Sequence, residues 1–83
     1  MSKALKLLAK MRANPRDWRI EDLETVARHY EITVRKPGGS HVIFDHSESV
    51  ELLSVPARRP IKPVYVRKFL DLIDLLEGLD ENP

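Results

Sequence analysis

Ile32-Thr33-Val34-Arg35-Lys36-Pro37-Gly38-Gly39-Ser40-His41-Val42-Ile43-Phe44-Asp45 is the stretch on which the fold turns. Ile32 and Val34 alternate with Thr33 and Arg35, the two-residue period of a half-buried strand. Pro37-Gly38-Gly39 interrupts the alternation with a turn. From Ser40 to Asp45 it resumes, with Val42 and Phe44 on one face and His41, Ile43 and Asp45 on the other. After the polar turn His46-Ser47-Glu48-Ser49 comes a third apolar run, Val50 to Val55. Its Leu52, Leu53 and Val55 break strict alternation, which predicts a strand buried on both faces or at an interface. Three strands joined by short loops make an antiparallel meander.

Helices flank this meander. Ile20, Leu23, Val26, Ala27 and Tyr30 form one apolar stripe, and Glu21, Asp22 and Glu24 suit the positive end of a helix dipole, so a helix is predicted from about Ile20 to Tyr30. Upstream, Ser2 is a natural N-cap for a helix carrying Ala4, Leu7, Leu8 and Met11, which Asn14-Pro15 stops. Downstream, Pro63 opens a last helix predicted over Val64 to Glu77, with Gly78 as its C-cap. Val66, Phe69, Leu70, Ile73 and Leu76 make its core stripe. Leu72, Leu75 and Leu79 make a second line, expected to pack on the N-terminal helix rather than to wait for a partner. The fold class is therefore α+β: a three-stranded antiparallel sheet with its two main helices on one face and His41 on the other. The chain reads as a single domain over residues 1–83, with residues 1–19 a helical extension and residues 20–77 the core.

Composition narrows the function. Eighty-three residues without cysteine hold no disulfide and no thiolate metal site, so apolar packing must carry the fold. No apolar run approaches the ~20 residues of a membrane helix, and the N-terminus lacks a signal-peptide core, so a cytoplasmic protein with no membrane partner is expected. The net charge of +1 conceals segregation. Residues 1–19 balance at +5 and residues 69–83 at −5, while the linker and start of the last helix hold Arg58, Arg59, Lys62, Arg67 and Lys68 with no acid. Such a chain can present a basic face to a polyanion and an acidic end elsewhere, or simply several solvated helix faces.

No zinc motif, phosphate loop or Ser-His-Asp arrangement is present, and His29, His41 and His46 are too scattered in sequence to mark a metal site. His29 reads as a surface histidine and His46 as a loop residue. Parity and a strand span of roughly 17 Å put His46 away from His41. Trp18 and Tyr65 read as packing residues, with base stacking open to Tyr65 because it lies in the basic segment. Lys36-Pro37-Gly38-Gly39-Ser40-His41 carries more chemistry. Its glycines let a backbone approach a ligand and turn amides toward an anion. Lys36 offers a cation, and an exposed imidazole moves protons near neutrality. The same pattern also fits a glycine hairpin with an incidental surface histidine.

Gly39-Ser40-His41 with Phe44 three residues on, then Ser54-Val55-Pro56 ending a strand and Ile61-Lys62-Pro63 leading into a helix, resembles the HicA toxin family. These are small bacterial ribonucleases of type II toxin–antitoxin modules with a double-stranded-RNA-binding-domain-like fold. The resemblance covers residues 20–76. It implies an mRNA-cleaving endoribonuclease with His41 as catalytic general acid or base, no cofactor and no metal, and a HicB-type antitoxin as partner. Lys36, Arg58, Arg59 and Lys62, with Gly38, Gly39 and Ser40, would then bind RNA, the cations by phosphate contacts of the salt-dependent kind. A non-catalytic RNA-binding module on the same sheet face is the alternative. Two departures stand out: the N-terminal helix exceeds the minimal family core, and Pro56-Ala57-Arg58 replaces the Pro-x-His of many members. Arginine can hold a phosphate there but gives up no proton near neutral pH.

Overall fold

Ser2 starts the first element: its Oγ accepts the Leu5 amide at 3.2 Å, so α1 runs Lys3–Ala13. A computed structural model describes the backbone over residues 2–81 and side chains over residues 2–78. The Arg19 amide donates to Asp22 Oδ2 at 3.1 Å and opens α2, Ile20–His29. Glu31, with φ 59°, turns the chain out of the helix while the Ile32 amide donates to the Ala27 carbonyl. Strands β1 (Thr33–Arg35), β2 (His41–Asp45) and β3 (Leu53–Pro56) follow, and α3 spans Pro63–Glu81. The protein is a small α+β domain of three helices and one antiparallel sheet, in the order β1-β2-β3.

The predicted faces of the hairpin hold. Val34 pairs with Phe44, and Val42 with Val55, so the apolar residues of neighbouring strands share a face. On that face Val42, Phe44 and Val55 are buried beneath α2, which lies against β1, and α3, which lies against β3. Phe44 and Phe69 meet with ring centroids 5.2 Å apart, tying the central strand to α3. The opposite face carries Arg35, His41, Asp45 and Ser54.

Three expectations are corrected. The third strand does not begin at Val50. Val50 is fully exposed, Leu52 is exposed, and only Leu53–Pro56 pair with β2. A strand is as long as its partner. β2 stops at Asp45, and the segment before Leu53 spends its hydrogen bonds locally, Ser49 N–H to His46 O and Ser49 Oγ to Glu51 O. From Leu53 onward the alternation is regular, with Ser54 exposed and Val55 buried, so the strand is not buried on both faces. The last helix does not end near Gly78; it continues to Glu81, and Gly78 lies inside it.

The third correction concerns α1. Arg12 Nη2 stands 2.6 Å from Asp74 and 3.0 Å from Glu77, so α1 runs along that side of α3. Leu72 and Leu75 turn elsewhere and line a groove of about 370 Å³ with Leu52 and Leu53. The second apolar line therefore does not pack on the N-terminal helix; the side chain of its third member, Leu79, lies outside the described residues. Helix α1 buries Ala4, Leu8 and Met11, of which Leu8 and Met11 join one core with Leu23, Val26, Phe69 and Ile73. Across the same junction the Tyr30 hydroxyl donates to Glu77 at 3.2 Å; burial, then the Glu77 charge, raise the phenol above its usual range.

Candidate active site

His41 is the first residue of β2, and its register sets its direction: Val42 faces the core, so the imidazole faces outward and is exposed. Gly38 and Gly39 bring the chain to that point with φ of 105° and 79°, backbone that a side chain resists. A Cβ at either would meet nothing within 4 Å, so glycine is required there by conformation and leaves the loop open to approach.

Two hydrogen bonds bring the basic linker to His41. His41 faces Pro56 across the β2–β3 ladder, and the Ala57 amide donates to the Ser40 carbonyl at 2.7 Å. That holds Arg58 just beyond the start of the strand. At the far end the Ile61 amide donates to the Trp18 carbonyl at 2.8 Å, burying Ile61 and fixing where α3 starts. The Lys62 carbonyl then accepts the Tyr65 amide at 2.9 Å, closing the first turn of α3. The result is a cleft of about 260 Å³ lined by Ser40, His41, Pro56, Arg58, Lys62 and Tyr65. None of the described residues lining it carries a carboxylate. Among the described residues neither Arg58 nor Lys62 has an acidic partner. The N-terminal end of a 19-residue helix adds its positive dipole on the same side. Among the described residues lining this cleft, the formally charged side chains that an anion meets beside the imidazole are the cations Arg58 and Lys62.

The remaining candidates are placed differently. Lys36 shares the parity of Val34 and turns toward α2, where its Nζ stands 2.6 Å from Glu24 Oε1. Glu24 is almost wholly buried, and that oxygen lacks a partner of hydrogen-bond geometry, so the contact is an ion pair that compensates a buried carboxylate. Arg59 Nη2 lies 3.0 Å from Glu21 Oε1 on α2. The Glu21 carboxyl is held below its usual range by its own backbone amide first and by Arg59 as well. Arg35, on His41's face, is engaged 3.3 Å from Asp45. The predicted set thus divides: Ser40, His41, Arg58 and Lys62 share a cleft, beside the Gly38-Gly39 turn, while Lys36 and Arg59 are bound to α2 carboxylates.

Sequence reasoning left two features out. Pro56, which reads in sequence only as the end of a strand, belongs to the cleft beside Tyr65, which reads as a packing residue with base stacking open. His29 and His46, far apart in sequence, line a larger cleft of about 540 Å³ with Tyr30, Glu31 and Glu48. That cleft is chemically unlike the first. Its carboxylates oppose an anion, and the Glu48 amide donates to His46 Nδ1 at 3.0 Å, occupying one imidazole nitrogen. Among the described residues no group of three His, Asp or Glu side chains is arranged to hold a metal ion, and no helix is long and apolar enough to cross a membrane. No family model, no curated protein and no solved structure matches the chain.

Proposed function

We propose that the protein is an endoribonuclease of the HicA toxin type, cleaving mRNA in the cytoplasm at His41 and held inactive by a HicB-type antitoxin. The observation that carries this reading is the exposed imidazole of His41 in a cleft whose charged side chains, Arg58 and Lys62, are both cationic and, among the described residues, without acidic partners. Gly39-Ser40-His41 and the order helix, three antiparallel strands, helix support a double-stranded-RNA-binding-domain-like architecture for residues 20–81.

The chemistry follows from the groups in the cleft. Arg58 and Lys62 hold the scissile phosphate. His41 takes the proton of the ribose 2′-hydroxyl, the 2′ oxygen bonds to phosphorus, and the bond from phosphorus to the 5′ oxygen breaks. The leaving oxygen takes a proton from water, and the His41 imidazolium neutralises the hydroxide that results. Where the imidazolium is the general acid instead, it protonates the leaving oxygen and water takes the 2′ proton. The products are a 2′,3′-cyclic phosphate and a 5′-hydroxyl. Arg58 and Lys62 stabilise the additional charge of the pentacoordinate state, as pre-oriented donors do. The antitoxin covers His41 and the linker with an acidic surface.

Cleavage of a single-stranded RNA by the wild type and by His41→Ala tests the assignment. Positioned acid–base catalysis contributes roughly 10²–10⁴-fold, and the variant is expected to lose that much rate while keeping its RNA affinity. A folded His41→Ala protein that cuts at the wild-type rate removes His41 from the mechanism. Wild-type protein that binds RNA without scission is a binding module instead.

A further inference from the structure

The aromatic ring beside His41 has no part in the chemistry above, and its surroundings define a ligand for it. Tyr65 is half-buried: its inner side joins the core, and the rest lines the cleft with Pro56, Arg58 and Lys62. Lys68, which is outside that cleft, places its ammonium over the ring, 5.8 Å from the centroid, so the exposed long side chain of a lysine is the neighbour a stacked base would share or displace. Among the described residues the Tyr65 hydroxyl has no hydrogen-bonding side-chain partner. The ring is thus anchored by the core and by the first turn of α3 and offers an aromatic surface at the edge of a cationic cleft. Pro56 adds an apolar side without competing donors.

We propose that Tyr65 and Pro56 form a nucleobase subsite next to His41, which takes an unstacked base adjoining the scissile phosphate and thereby selects single-stranded RNA at the cut. The proposal rests on the ribonuclease reading and adds its substrate class. Every base has a flat π-face, so stacking on a fixed ring is strong and tolerant of sequence. A base inside a duplex has both faces covered and reaches such a ring only if it is splayed out. The cleft, of about 260 Å³, is at the small end of ligand pockets, a size for a single nucleotide unit. Arg58 and Lys62 line the same cleft, so the scissile phosphate they hold sits beside the ring and brings the adjoining base to it. Tyr65 is held in the first turn of α3 by its bond to the Lys62 carbonyl, and the linker before it is tied at one end to Trp18 by Ile61 and at the other to Ser40, next to His41, by Ala57.

The test uses the full chain carrying His41→Ala, so that binding is read without cleavage. Its affinity is measured for single-stranded oligoadenylate, for the same length of abasic ribose phosphate, and for an RNA duplex. Oligoadenylate is expected to bind about ten- to one-hundred-fold more tightly than the abasic oligomer, the range a stacked base contributes. Adding Tyr65→Leu should remove most of that difference and leave abasic binding unchanged, whereas Tyr65→Phe should keep it. The duplex should bind more weakly than oligoadenylate. Equal affinity of the Tyr65-containing protein for oligoadenylate and the abasic oligomer overturns the subsite, even if Tyr65→Leu does not fold. Unaltered oligoadenylate binding by folded Tyr65→Leu overturns it too. Either result leaves the ribonuclease reading standing, provided the wild type cuts RNA. A wild type that neither binds nor cuts any RNA removes that reading and the subsite with it.

Discussion

Lys36 and Arg58 were equivalent candidates for phosphate contacts, and their surroundings give them opposite tasks. Lys36 compensates Glu24, a carboxylate only 4% exposed on α2. Arg58 is exposed in a cleft without acids. Lys36→Met should therefore weaken the fold and hardly change RNA affinity. Breaking a buried pair typically costs 3–5 kcal/mol, but Lys36 is itself largely exposed and solvent still reaches the site, so about 1–2 kcal/mol is expected from urea unfolding. In a Glu24→Gln background the same substitution should cost almost nothing; an undiminished cost there would mean that Lys36 contributes through packing alone. Arg58→Ala, conversely, should leave the unfolding midpoint in place. Alternation places His41 on the open side of the sheet, whereas Lys36, next to the turn, reads in sequence as a phosphate contact beside it; in the structure it shares the parity of Val34 and faces α2. What no pattern displayed was the buried acid waiting there, because Glu24 in the sequence looks like any acid in the first turns of a helix.

The two elements whose limits were misjudged failed for different reasons. At Val50 an apolar run suggested strand, yet a strand needs a partner. β2 offers ladder positions only from His41 to Asp45, and that limit lies in another part of the chain. At Gly78 the local rule that glycine ends helices competed with Leu79-Asp80-Glu81, which contain no proline and nothing that prevents continuation. Helix won, and Gly78 now occupies a helical position where it costs stability. A Cβ there meets nothing within 4 Å, and its φ is not left-handed. Gly78→Ala should therefore stabilise α3 by up to ~1 kcal/mol, less if the last turn frays, and raise helicity by circular dichroism. Loss of stability instead would mean that Gly78 ends the helix after all. By contrast, the β1–β2 hairpin was legible residue by residue, since every outward or inward position follows from the two-residue period once Gly38-Gly39 makes the turn.

Across the whole molecule, segregated charge turned out to be partly self-neutralising. Arg12 of α1 is held by Asp74 and Glu77 of α3, so the basic first helix and the acidic last helix meet each other. Such exposed pairs contribute little, and the attachment of α1 must be judged by what it buries. Sequence reading sets residues 1–19 apart as an extension because they exceed the family core that residues 20–76 resemble, and it pairs α1 with the Leu72, Leu75 and Leu79 line. Yet Met11 is fully buried and Leu8 nearly so, in the same cluster as Leu23, Val26, Phe69 and Ile73. If α1 belongs to one cooperative unit, Met11→Ala should cost the whole domain about 2–5 kcal/mol, a large part of the 5–15 kcal/mol that small domains possess. Trp18 provides a local probe, because its Nε1 donates to the Asn14 carbonyl at the end of α1 while its own carbonyl accepts from Ile61. Urea unfolding of Met11→Ala followed by Trp18 fluorescence and by far-ultraviolet circular dichroism should give one coincident transition, shifted to lower urea. An early fluorescence change with the remaining helical signal intact would make α1 a separately melting attachment. Because the Ile61–Trp18 bridge also positions the linker, a concerted transition would further mean that the Arg58–Lys62 arm at His41 depends on the packing of α1.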